Sequence, residues 1–138
     1  MMKIEVLESP SKDVISFLDA RIAEYNWKNW EVSERLPLAI QITNDKGEII
    51  AGAAGRTFGN WLQLNTLWVS EELRGKNTGS MILKEMEEQA KQRGCVKCIL
   101  DTLDFQAMPF YKKHGYKIQW VQENYPMTGC KYFMVKDI

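Results

Sequence analysis

Apolar residues recur along this chain with two periods, and the order in which those periods alternate sets out its architecture. Lys3 to Leu7 alternates in the manner of a strand. Val14, Phe17, Leu18, Ile22 and Tyr25 then fall at helical spacing, which predicts a helix through Asn26 with Ser9 as N-cap and Pro10 in its first position. Leu38 to Thr43 and Glu48 to Ala54 read as strands joined by the turn Asn44-Asp45-Lys46-Gly47. Trp61 to Val69, entered through Gly59-Asn60, is the next strand. Met81 to Arg93 places Ile82, Leu83, Met86 and Ala90 on one helix face, carries Glu87 and Lys91 at i,i+4 spacing, and stops at Gly94. A strand at Val96 to Thr102, a helix from Gln106 to His114 ended by Gly115, and strands at Tyr116 to Val121 and Lys131 to Lys136 complete the set. Strands that first cluster and then alternate with helices predict an α/β (α+β) fold, a mixed sheet with helices packed on its faces.

Composition narrows the function classes. At 138 residues, the chain (1–138) is expected to form one domain with a core of its own. Lys plus Arg number 18 and Asp plus Glu 18, with no basic run, which disfavours a nucleic-acid or anionic-membrane binder. The N-terminus lacks an apolar leader and no segment resembles a spanning helix, so a cytoplasmic location is expected. Three cysteines make no disulfide framework. Cys95 and Cys98 form a Cys-x-x-Cys at the start of the predicted strand, where side chains three apart point to opposite faces, and the default is buried or incidental thiols without a metal.

Arg74-Gly75-Lys76-Asn77-Thr78-Gly79-Ser80 joins a strand to a helix, a place where backbone N–H groups and a helix dipole converge on an anion. The spacing is not that of a Walker A loop, because only three residues separate Gly75 from Gly79 and no Lys follows the second; the dinucleotide Gly-x-Gly-x-x-Gly is absent too. The run does resemble motif A of the GNAT superfamily of acetyl-CoA-dependent N-acetyltransferases, Arg/Gln-x-x-Gly-x-Gly/Ala. Asn77 stands at the first glycine, and Asn is the next best residue for a left-handed backbone. Ala107 to Tyr116, with Phe110-Tyr111 and Gly115-Tyr116, resembles the family's later motif Asn-x-x-Ala-x-x-Phe-Tyr-x-x-x-Gly-Phe/Tyr, with Asp104 in place of its Asn. The resemblance extends from about Glu48 to Lys136.

That resemblance implies a mostly antiparallel central sheet of about six to seven strands with helices on both faces. It implies acetyl-CoA as co-substrate, its pantetheine arm on backbone groups of Leu67, Trp68 and Val69, and its pyrophosphate on the N–H groups of Arg74, Gly75, Lys76, Asn77, Thr78, Gly79 and Ser80. Asp104 takes the place of a further cofactor contact. Tyr111 becomes the general acid for the departing thiolate, and the Val69 N–H the oxyanion donor. Phe110 and Tyr116 have core places. No cysteine lies on either motif, so direct transfer to a primary amine is expected rather than a cysteine-linked route.

The acceptor side is less defined. Gln63 and Asn65 alternate on one strand and are expected to share a face, but neither is a base. Glu34, Asp104 and Glu123 are the carboxylates considered for that role, beside deprotonation through water or in solution. Trp27 and Trp30, with Trp61, Trp120 and Tyr125, would make an aromatic surface for a small cationic or partly apolar amine. His114 suits a helix C-terminus. A protein N-terminal or lysine acetyltransferase and a non-catalytic acyl-CoA-binding module are the rival readings. A homodimer through the Lys131 to Lys136 edge is a further possibility.

Overall fold

A computed structural model describes residues 1–138 and divides the chain into two units, Met1–Ser33 and Glu34–Ile138. In the first, α1 spans Lys12–Asn29. It starts two residues later than the sequence suggests, because the Ser11 hydroxyl, not that of Ser9, accepts from the Val14 N–H at 3.4 Å. It also runs on past Asn26 to take in Trp27, whose ring meets Trp30 edge-on at 5.2 Å. The predicted strand at Lys3 to Leu7 is absent: those residues are irregular and pair with no other strand.

The second unit holds β1 (Leu36–Thr43), β2 (Ile49–Phe58), β3 (Trp61–Val69), a 3₁₀ turn (Glu71–Leu73), α2 (Thr78–Gln92), β4 (Lys97–Leu103), α3 (Met108–Lys113), β5 (Lys117–Glu123) and β6 (Cys130–Asp137). The six strands form one sheet in the order β1-β2-β3-β4-β6-β5, antiparallel except where β3 meets β4. β6 therefore lies inside the sheet and presents no edge, which removes the expected dimer edge at Lys131 to Lys136.

The core gathers Leu62, Leu64, Ile82, Leu83, Met86, Cys98, Leu100, Tyr111, Tyr116 and Met134, drawn from α2, α3 and one side of the sheet. Alternation accounts for the strand members, since Leu62 and Leu64, or Cys98 and Leu100, share a side. α2 is anchored at its C-terminal end by Arg93, whose guanidinium donates to the carbonyls of Leu36 and Pro37 and to Thr57 Oγ1 at 3.0–3.2 Å. Glu87 does not pair with Lys91, which instead meets Glu88 at 3.3 Å. Glu87 is buried; its carboxylate accepts from the Tyr116 hydroxyl at 2.7 Å and from Lys136 Nζ at 2.9 and 3.1 Å. Cys95 precedes β4 rather than lying on it, so both Cys95 and Cys98 point into the same core instead of to opposite faces.

Candidate active site

The site begins with an interruption in β3. Ala54 pairs with Thr66 and Gly55 with Leu64, so Asn65 is an extra residue in a β-bulge. Gly55 makes the bulge possible: a Cβ there would collide with the Gln63 carbonyl oxygen and lie 3.2 Å from Leu64 Cα. Beyond the bulge β3 bends, and its parallel pairing with β4 ends at Leu64 and Leu100. The two strands then separate.

What the separation exposes follows from hydrogen-bond alternation. Ser70 N–H donates to the Ile50 carbonyl at 3.0 Å, and bonds alternate along an antiparallel pair, so the backbone polar groups of Leu67 and Val69 point away from β2 and toward the gap. Those of Trp68 are spent on β2. The gap opens into a cavity of about 410 Å³. Leu64, Asn65, Thr66 and Leu67 form its β3 wall; Leu100, Asp101, Thr102 and Leu103 form its β4 wall; Gln106, Ala107, Tyr111, Tyr125 and Lys131 close it.

Tyr111 is held there by a locked turn. Thr102 Oγ1 accepts from the Ala107 N–H at 3.2 Å, and Gln106 Oε1 accepts from the Leu103 N–H at 2.8 Å, fixing the entry to α3. The Tyr111 ring is buried, edge-on to Phe110 at 5.2 Å and to Tyr116 at 5.8 Å, and its hydroxyl makes no hydrogen bond with the protein. Burial, with smaller contributions from Cys98 and Asp101, pushes its pKa up to about 12, so the phenol stays protonated at neutral pH and is available as a donor. Burial likewise raises the Cys98 thiol to about 11 and raises Cys95, so neither is a thiolate nucleophile.

A second cavity, about 290 Å³, sits over the start of α2 and is lined by Val69, Leu73, Arg74, Gly75, Asn77, Thr78, Gly79, Ser80, Phe110 and Lys113. Asn77 is left-handed (φ 62°, ψ 14°) and Gly75 has φ 79°, which turns the chain so that the unpaired N–H groups of the first helical turn face outward. A Cβ on Gly79 would sit 3.5 Å from Phe110 and 3.8 Å from Val69, both of which line this cavity. Arg74 Nε donates to the Val69 carbonyl at 3.3 Å, tying the loop to the end of β3. Ser80 Oγ and His114 Nε2 share a hydrogen bond of 2.8 Å, which joins α2 to the C-cap of α3. Backbone donors, a helix N-terminus and Lys113 fit a pyrophosphate.

The structure thus brings together Leu67, Asn65, Tyr111 and Tyr125 at the first cavity, and Val69, Arg74, Gly75, Asn77, Thr78, Gly79 and Ser80 at the second. Trp68, Lys76, Gln63 and Asp104 line neither. Gln63 Oε1 accepts from Arg56 Nε at 3.1 Å; it lies where β3 is still paired with β4, opposite Ile99, whereas Asn65 lies past the last paired residue, where the gap opens. Asp104 lies against the β5–β6 hairpin: its N–H donates to the Cys130 carbonyl at 3.1 Å, and its carboxylate approaches to 3.0 Å the position a Gly129 Cβ would take. Glu34 and Glu123 are exposed and line neither cavity. The aromatic surface does not assemble within Glu34–Ile138: Trp61 lies beside Lys97, Trp120 stacks on Phe133, and only Tyr125 reaches the cavity. Trp27 and Trp30 belong to the other unit. Sequence reasoning missed Asp101, the one carboxylate lining the first cavity, and Lys131, the one cation. The signals were there, in the alternation Leu100-Asp101-Thr102 and in a glycine inside a strand.

Known proteins resemble this chain in sequence and in fold. The sequence pattern of the Acetyltransferase (GNAT) family matches residues 3–116. Blasticidin-S acetyltransferase of Streptomyces morookaense is 32% identical over 111 residues, covering 78% of this chain and 82% of that protein. The crystal structure of an acetyltransferase from Bacillus cereus superimposes with a TM-score of 0.88 at 29% identity, covering 97% of this chain and 98% of that one. A Bacillus anthracis protein solved in complex with acetyl coenzyme A shares the fold, with a TM-score of 0.66 at 14% identity over 75% of this chain and 63% of that one.

Proposed function

This chain belongs to the GNAT acetyltransferase family, and within it we propose that the protein transfers the acetyl group of acetyl-CoA directly to the primary amine of a small molecule. The observation that carries this is the splayed β3–β4 gap with Tyr111 in its wall and unpaired N–H groups at Leu67 and Val69. The pantetheine arm would bond to β3 as an added strand does, and the pyrophosphate would lie on the loop from Arg74 to Ser80. A neutral amine attacks the thioester carbon. The Leu67 N–H, which faces the same cavity as Tyr111, stabilises the oxyanion, while the Val69 N–H, beside the second cavity, bonds to the pantetheine arm. The C–S bond then breaks, and the departing sulfur receives a hydrogen bond from Tyr111 and the second amine proton, while the first has already gone to solvent. A small acceptor is favoured by the named substrate of the 32%-identical relative. No thiolate attacks, because the buried thiols are held protonated.

The test is free-thiol release from acetyl-CoA across small amines, with peptides bearing a free N-terminus or lysine as the contrasting set. Acceptor-dependent release from a small amine supports the proposal. Release from peptides alone would overturn it in favour of a protein substrate, and binding of acetyl-CoA with no release from either set would overturn it in favour of a binding module.

A further inference from the structure

Two charges in the first cavity are left without a use by the cofactor. The part of acetyl-CoA that belongs there, thioester and pantetheine, is neutral, and its phosphates have their own cavity over α2. Yet the walls carry Asp101 and Lys131. The Asp101 side chain makes no hydrogen bond or ion pair. Lys131 meets no carboxylate; its Nζ lies 4.3 Å from the centre of the Tyr125 ring, which holds the ammonium at the cavity wall with its N–H groups unspent. In the β4–β6 register Asp101 faces Phe133 and Leu103 faces Lys131, so Asp101 and Lys131 are diagonal neighbours on one side of the sheet, roughly 7–8 Å apart at the backbone. An acceptor that carries an ammonium and a carboxylate can answer both charges of the cavity, each with a charge-assisted hydrogen bond.

We propose that the acceptor is a zwitterion of the amino-acid type, whose amine is received beside Asp101 and whose anionic group is received by Lys131. The inference rests on the acetyl-transfer reading above and sharpens it. A doubly cationic acceptor would bring a like charge against Lys131, and a plain amine would leave that ammonium facing the cavity unpaired. Asp101 and Lys131 act here as specificity determinants, with Tyr125 keeping Lys131 in place.

The test compares each of the common amino acids with its own α-carboxamide, and with simple alkylamines, by thiol release from acetyl-CoA with the unaltered protein. The pairs differ in the negative charge and in the basicity of the amine, so kcat/KM is compared per unit of neutral amine, with the ionisation of each acceptor measured. At least one acid should exceed its amide in kcat/KM by about tenfold, the size of one charge-assisted hydrogen bond. Lys131→Met should bring that ratio close to one while leaving the Kd for acetyl-CoA unchanged, and Lys131→Arg should restore it. If amides or alkylamines turn over as well as the acids throughout, the charges of Asp101 and Lys131 do not select the acceptor and the inference is overturned with acetyl transfer intact. If no amine of any kind releases thiol, the inference falls together with the small-amine reading on which it rests.

Discussion

Replacing Tyr111 with Phe removes one hydroxyl and almost nothing else, which makes its consequence calculable. The phenol is pushed up to about 12, whereas a thiol of the CoA kind titrates near 8.5. Complete proton transfer from Tyr111 to the departing sulfur is therefore uphill by about 3.5 in pKa, on the order of 5 kcal/mol. The hydroxyl should act chiefly as a hydrogen-bond donor to a sulfur that is gaining negative charge. Such a bond is worth about 1.5–3 kcal/mol, so kcat should fall by about 10- to 150-fold rather than by the larger factors of full acid catalysis. Because the hydroxyl has no protein partner, the ring can stay where it is, and stability should change by no more than about 0.5 kcal/mol. Steady-state thiol release at saturating acetyl-CoA, with a melting curve for each protein, measures both quantities. An unchanged kcat would refute the role given to Tyr111. A fall in kcat that tracks a fall in Tm would assign the hydroxyl to packing.

Three other outcomes are expected. Gly79→Ala should raise Tm slightly, because alanine gains about 0.5–1 kcal/mol over glycine in a helix and the new methyl makes only ordinary contacts at 3.5 Å; it should nevertheless weaken acetyl-CoA binding by about 1 kcal/mol or more, since the methyl occupies the cavity, as calorimetry would show. Glu87→Gln should cost about 2 kcal/mol in denaturant unfolding without changing kcat, less than a fully buried pair because the Lys136 side chain keeps 26% of its exposure. Stability should also decline above about pH 9. Cys98, Tyr111 and Tyr116 all have pKa values raised by burial, so between their unfolded and folded values the unfolded chain holds fewer protons than the native one. The Cys98 share, lost as pH rises from about 9 to 11, is on the order of 2 kcal/mol, and Cys98→Val should flatten that part of a Tm-against-pH curve.

Much of this is legible in the sequence, for identifiable reasons. The strand Trp61 to Val69 was bounded correctly because a turn precedes it and a glycine loop follows; α2 was recognised from the four-residue recurrence of Ile82, Met86 and Ala90. Asn77 takes the left-handed conformation its side chain tolerates. Period alone failed wherever a residue departs from it. Lys3 to Leu7 alternates without a neighbouring strand, and alternation is a face, not a partner. Glu87 and Lys91 satisfied the helix-pair rule, but Glu87 lies on the buried stripe beside Met86, where Tyr116 and Lys136 reach it from across the core. The bulge at Asn65 adds one residue, and a single insertion exchanges the faces of everything after it. Leu67 and Val69 accordingly turn to the core side that strict alternation would have given to Thr66 and Trp68. Gln63, still paired with Ile99 of β4, stays beside Arg56, whereas Asn65 lies past the last paired residue and lines the cavity.

The two halves of the site are built on different physics, and this decides which of them can change. The cofactor side depends on backbone: a bulge that needs Gly55, a left-handed turn at Asn77 and Gly75, and N–H groups freed because β3 and β4 part after Leu64 and Leu100. Altering it means altering the fold, since a Cβ at Gly55 meets the Gln63 carbonyl directly. The acceptor side depends on side chains set on an intact ladder. Asp101 and Lys131 project from paired strands, so either can be replaced without loss of a backbone hydrogen bond, and Tyr125 sits on a hairpin closed by its own N–H donating to the Gly129 carbonyl at 2.9 Å. Substitutions at these three positions should therefore shift the choice of acceptor while Tm and acetyl-CoA affinity hold steady. A variant of Asp101 that lost acetyl-CoA binding in proportion to its activity would show that the two halves are not separable in this way.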